Sequence, residues 1–222
     1  MIPKSAWIVS TLAATLSVAT FLSTAAAQGE RAKPASAPAP KEANLTPAER
    51  TKALDLVRKS EKETLAAVEK LSDAQWSWKP APDKWSVGEC VEHIATVEAF
   101  LLPMVEKTAS GAPDPKWNEG VPNTEELEKQ LLDRSKKFQA PEPVRPTGKL
   151  TRAEVMAKYK EARTKTKEFF EKAPEGLKAY VSTAGPVGRT NAYQQLIFIP
   201  LHNLRHNQQI AEVKATEGFP AK

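Results

Sequence analysis

Three histidines occur in 222 residues, and two of them stand four apart in His202-Asn203-Leu204-Arg205-His206. Residues at that spacing on an α-helix project from one face, one turn above the other. Two imidazoles so placed can grip one metal ion, and the pair is the helical half of many zinc sites. The third, His93, lies far upstream in Glu89-Cys90-Val91-Glu92-His93-Ile94. A fold that brings His93 against the later pair makes a three-histidine site. Zinc accepts three imidazoles and keeps a fourth position open in catalytic sites; nickel, iron and copper also accept imidazole. The expectation is therefore a divalent transition metal (zinc, nickel or iron) on His93, His202 and His206. The alternative is a buried polar cluster, in which the rings hydrogen-bond to one another, to a tyrosine or to Gln195.

These residues need helices that turn them inward. At about 100° per residue, Ile94, Val97 and Leu101 fall near Cys90 on one face, and His93 borders that stripe. Gln195, Ile199, His202, His206, Ile210 and Val213 share a face of a later helix, with Gln209 just beside it. Glu89, one turn before His93, is a further ligand or base on one reading. On the other it completes the helix cap that begins at Ser86. Arg205 points to another side of its helix, and no general base is named.

Five capping signatures mark helix starts: Thr46-Pro47-Ala48-Glu49, Ser86-Val87-Gly88-Glu89, Asn123-Thr124-Glu125-Glu126, Thr151-Arg152-Ala153-Glu154 and Asn191-Ala192-Tyr193-Gln194. Each pairs a side-chain acceptor with Glu or Gln three residues on. They predict helices over 47–71, 87–109, 124–138, 152–173 and 192–215. The first should bury Leu54, Val57, Glu61, Leu65 and Val68, and the fourth Val155, Tyr159, Ala162, Thr166 and Phe169 or Phe170. No stretch alternates with period two, and only Ala179-Tyr180-Val181-Ser182 reads as extended. The fold class is all-α: a four-helix bundle with a short additional helix in a connection. Trp76, Trp78 and Trp85 cluster before the second helix, either as an aromatic plug or as a wall of a pocket.

Residues 1–27 read as a secretory signal peptide, with Lys4, an apolar stretch, and Thr24-Ala25-Ala26-Ala27 offering a cleavage pattern. Residues 28–44, rich in Ala and Pro, read as a disordered linker, and 45–222 as the domain. The protein is expected to be exported, periplasmic or secreted, with no stable membrane span after cleavage. A net charge of +5, with lysines interleaved with glutamates along the helices, argues against nucleic acid. The single cysteine, Cys90, excludes an intrachain disulfide and reads as a buried thiol.

At Trp85-Ser86-Val87-Gly88-Glu89-Cys90-Val91-Glu92-His93-Ile94 and at His202-Asn203-Leu204-Arg205-His206-Asn207-Gln208-Gln209-Ile210, the chain resembles the DinB-like superfamily of four-helix bundles. The resemblance spans about Leu45 to Ala215. It implies a divalent cation on His93, His202 and His206. It also implies activities such as thiol-dependent S-transfer, found in some members. Dimers are common in the family, so a homodimer is one expected state. Two functions follow as expectations. One is a metal-dependent hydrolase or transferase acting on a small molecule. The other is a non-catalytic bundle serving as an envelope binding or interaction module.

Overall fold

The computed structural model describes residues 38–221. The signal-peptide reading, and most of the linker reading, lie outside these residues. Among the described residues, six α-helices and one β-hairpin follow in order: α1 (Pro47–Val68), α2 (Asp73–Ser77), α3 (Val87–Ala109), α4 (Thr124–Leu132), α5 (Arg152–Lys172), β1 (Val181–Gly185), β2 (Gly188–Asn191) and α6 (Ala192–Ala215).

The capping signatures are realised. Thr46, Ser86, Thr151 and Asn191 each form a reciprocal capping box. Asn123 accepts from the backbone N–H groups of Glu125 and Glu126. A fifth box, from Ser72 to Gln75, opens α2, an element the sequence reading did not foresee. Two helices end earlier than expected. The chain leaves α1 at Val68, and the Arg152 guanidinium donates to the carbonyls of Val68 and Leu71 at 2.6 and 2.7 Å. α4 ends at Leu132, and Arg205 donates to the carbonyls of Leu131, Asp133 and Lys136 as the chain turns away. In both places a distant arginine satisfies carbonyls that a longer helix would have bonded internally.

The four long helices form the bundle expected from the sequence. α3 packs on α5 and α6, α1 packs on α6, and α1 meets α5 more lightly. Side-chain pairings fix their directions. Tyr193 reaches the Glu49 carbonyl and Lys214 the Ala67 carbonyl, so α1 and α6 run together. Arg152 at the start of α5 meets the end of α1, so α5 runs the other way. His93 faces His202 and His206 while Leu101 and Val105 line one cleft with Phe198 and Gln195, so α3 also opposes α6. α3 and α5 are thus parallel neighbours, and parallel neighbours need a long crossover. That crossover carries α4 and a 3₁₀ turn, Glu142–Val144, which returns to α3.

The core has two apolar halves. One gathers Val57, Val97, Leu101, Phe170, Leu196 and Leu201; the other gathers Val68, Trp76, Cys90, Ile94, Tyr159 and Ile210. Between them lies a buried polar band containing Ser60, Thr64, Glu98, Arg163, Thr166, Asn203 and His206. The band corrects the expected face of α1. Its buried stripe is Ala53, Val57, Ser60, Thr64 and Val68, with Leu54, Glu61 and Leu65 at the edges. The helix is rotated because Thr64 Oγ1 lies 2.8 Å from both Asn203 Oδ1 and Asn207 Oδ1, so small polar residues meet the polar face of α6.

Two further differences concern the ends. Of the 179–182 stretch, Ala179 closes a 3₁₀ turn (Leu177–Ala179), and Val181 and Ser182 belong to a paired hairpin closed by Pro186 and Val187 with Gly188 at φ +77°. Its second strand, Gly-Arg-Thr-Asn, has no apolar alternation to announce it. Packing also begins before Leu45: Lys41–Ala43 form a 3₁₀ turn, and Ala43 is fully buried. Among the described residues no helix is long and apolar enough to cross a membrane.

Candidate metal centre

α3 and α6 bring the three histidines together. His202 Nε2 lies 3.2 Å from His93 Nε2 and 3.1 Å from His206 Nε2. One nitrogen from each ring falls within 4.8 Å of the others. His93 and His206 are buried, at 3% and 7% exposure, whereas His202 is half-buried and reaches the surface.

The outer nitrogens decide what the inner ones can do. His93 Nδ1 is 2.7 Å from the Val144 carbonyl, which can only accept, so Nδ1 carries the proton and Nε2 is a lone pair. His206 Nδ1 is 2.9 Å from Gln209 Oε1. Arg134 Nη1 donates to that same oxygen at 3.4 Å, and Arg134 is itself held by Glu212 at 2.7 and 3.1 Å. The amide oxygen therefore faces two donors, and His206 Nε2 is also a lone pair. A neutral His202 has one N–H at most, too few to satisfy both contacts from Nε2. A cation at the meeting point satisfies all three rings. The donor set, imidazole nitrogens backed by carbonyl acceptors, fits a transition metal.

Electrostatics agree. Burial lowers the basicity of His93, His202 and His206; nearby histidines push His202 and His206 further down, and the Val144 and Gln209 hydrogen bonds oppose the shift at His93 and His206. The rings are held neutral, the form that binds metal.

The remaining residues divide clearly. Glu89 serves the cap: its carboxylate accepts from the Ser86 backbone N–H and pairs with Lys79, both at 2.8 Å. Arg205 fastens the segment after α4, with its guanidinium over Phe138. Gln195 bonds to Thr190 rather than to a histidine. The tryptophans split between the two expected roles. Trp76 packs so closely on Gly88 that a Cβ there would lie 2.4 Å from its Nε1, and Trp78 meets Phe219 edge-on. Trp85 instead covers the site, with ring centroids 4.7 Å from His93 and 6.0 Å from His206. The Cys90 thiol is buried and pushed up to about 12, which makes it inert.

Sequence reasoning missed Glu92, Val144, Gln209 and Arg134 as supports. Glu92 is buried and accepts from Thr147 N, Thr147 Oγ1 and Gly148 N at 2.8 to 3.0 Å. It anchors the loop that presents the Val144 carbonyl to His93. An acidic residue adjacent to His93 on an inward face was the available signal; the partner loop was not foreseeable.

The family model described as the DinB superfamily matches residues 56–210, well over half of the chain. No curated protein matches the sequence. Among solved structures, the chain is similar to YfiT from Bacillus subtilis, described as "a probable metal-dependent hydrolase with an unusual four-helix bundle topology". The TM-score is 0.53 at 15% identity, covering 79% of this chain and 91% of that one, a likeness of fold. With a family match of this extent over a bundle that unites His93, His202 and His206, the chain belongs to the DinB superfamily.

Proposed function

We propose that this protein is an exported metal-dependent hydrolase acting on a small molecule, with His93, His202 and His206 holding the ion. The observation that carries the reading is the convergence of three Nε2 atoms while the outer nitrogens of His93 and His206 are committed elsewhere. A bound divalent ion supplies Lewis acidity and lowers the pKa of a coordinated group. The chain does the rest. Val144 and Gln209 fix two rings, Trp85 shields one side from water, and His202 opens the other side to solvent. Glu89 and Glu92 are spent on backbone N–H groups, so neither is assigned as a general base. The description of YfiT supports hydrolysis. Export, supported by the sequence pattern of residues 1–27, favours hydrolysis over thiol transfer because low-molecular-weight thiols are scarce outside the cytoplasm.

The test is turnover of chromogenic carboxylic ester and amide substrates by protein loaded with zinc, nickel or iron. Turnover that requires metal and disappears in His202→Ala supports the reading. A fully loaded protein inert towards the panel contradicts it. Export is tested separately by the mass of the protein recovered outside the cytoplasm: a chain beginning at Gln28 is expected, and retention of residues 1–27 in the cytoplasm overturns it.

A further inference from the structure

The two committed outer nitrogens are reached from one stretch of chain. The crossover between α4 and α5 supplies the Val144 carbonyl to His93 Nδ1. Near its start, Arg134 donates to the same Gln209 oxygen that faces His206 Nδ1. Two charged side chains fasten the crossover at its ends. Glu92 accepts from Thr147 N, Thr147 Oγ1 and Gly148 N. Arg205 donates to the carbonyls of Leu131, Asp133 and Lys136. Glu92 stands immediately before His93, and Arg205 immediately before His206. Both are only 5% exposed. Successive helical positions point about 100° apart, so each helix offers one side chain to the histidine cluster and the preceding one to the crossover. Among the described residues, 137–143 make no hydrogen bond outside the crossover, and Phe138 in that span is 71% exposed. The polar hold on the crossover thus runs through residues that adjoin the histidines.

We propose that Glu92 and Arg205 are positioning residues for the metal site, and that order in the crossover and affinity for metal form one linked equilibrium. An imidazole that gives its Nε2 lone pair to a cation becomes a stronger donor at Nδ1, so an occupied site tightens the hydrogen bonds to Val144 and Gln209. Linkage is reciprocal: a crossover held in place raises the affinity for metal by the same factor with which metal favours the held crossover. The inference rests on the metal-site reading above and deepens it by naming what controls that site.

The test compares the full chain without metal and with zinc. Zinc is expected to slow hydrogen exchange about tenfold at the amides of Val144, Arg145, Thr147 and Gly148, all hydrogen-bonded in the crossover, and to leave the β1–β2 hairpin unchanged. Glu92→Gln keeps the size of the side chain but offers one acceptor oxygen in place of two, and Arg205→Lys loses the planar fork. Each should bind zinc about tenfold more weakly in competition with a chelator. Each should also shrink the rise in melting temperature that zinc brings. A merely structural role would lower the melting temperature of both forms equally and leave the affinity alone. The exchange measurement needs no variant, so a substitution that unfolds the chain does not blunt the test. If zinc binds the parent and is lost in His202→Ala, yet the crossover exchanges alike with and without it, or both folded variants bind zinc as the parent does, the linkage is overturned and the metal site stands. If the parent takes up no zinc, the metal reading fails and the linkage with it.

Discussion

Two parts of the same polar band solve burial in opposite ways. On the α3–α5 side, Glu98 and Arg163 are each about 1% exposed and meet at 3.0 Å. The contact lacks hydrogen-bond alignment, and among the described residues neither group, nor Thr166 Oγ1 beside them, has a hydrogen-bond partner. On the α3–α6 side, the outer nitrogens of His93 and His206 are satisfied, and the inner nitrogens of all three histidines crowd together. The ion pair is closed and neutral within itself. The histidine cluster is uncharged and reaches solvent at His202. A buried charge is structural when its counter-charge lies within the chain, and a cluster of neutral rings points to a ligand when the outer nitrogens of two are paired and the inner ones are left facing each other.

The largest expected effect is on the closed side. Arg163→Met leaves Glu98 buried without its counter-charge and should cost about 3–5 kcal/mol, whereas Glu98→Leu combined with Arg163→Met should recover most of that loss. Urea denaturation of the two singles and the double reads the difference. Equal losses in the single and the double would show that the charges do not depend on each other.

Next comes the support for His206. Gln209→Leu removes the acceptor at Nδ1 and should weaken metal binding by about 10- to 100-fold while the bundle stays folded. Competition with a chelator measures it, and unchanged affinity would reduce the Arg134–Gln209 contact to surface chemistry.

The smallest effect is on protons. In metal-free protein the three imidazoles should titrate below their ordinary value of 6.5, because burial disfavours the charged form. Their contribution to stability is therefore complete above about pH 6.5 and is lost as pH falls, since the unfolded chain takes up protons the folded one refuses. Glu98, whose carboxyl is pushed up by burial, acts in the opposite sense in acid. Ring signals in NMR spectra separate the two; a histidine that titrates at or above 6.5 would contradict the buried, neutral cluster.

Much of this arrangement was legible in the sequence. The spacing of His202 and His206 and the inward position of His93 depend only on helical periodicity, and the cluster follows once α3 opposes α6. Helix starts were legible because capping is local chemistry within four residues. What escaped was set by distant partners. Ser60, Thr64, Glu98 and Arg163 carry polar side chains that read as surface, yet they are buried: Ser60 and Thr64 meet Asn203 and Asn207 of α6, and Glu98 meets Arg163. The ends of α1 and α4 depend on Arg152 and Arg205, which arrive from elsewhere in the chain. The Val144 carbonyl reaches His93 through a crossover whose path no residue pattern reveals.

The most direct test of the central claim is the metal content of the purified protein after dialysis, set beside His202→Ala and His206→Ala. The account predicts close to one transition-metal ion per chain in the parent and loss of that ion in both variants. A parent that retains no metal after loading with zinc, nickel, iron and copper in turn would contradict it.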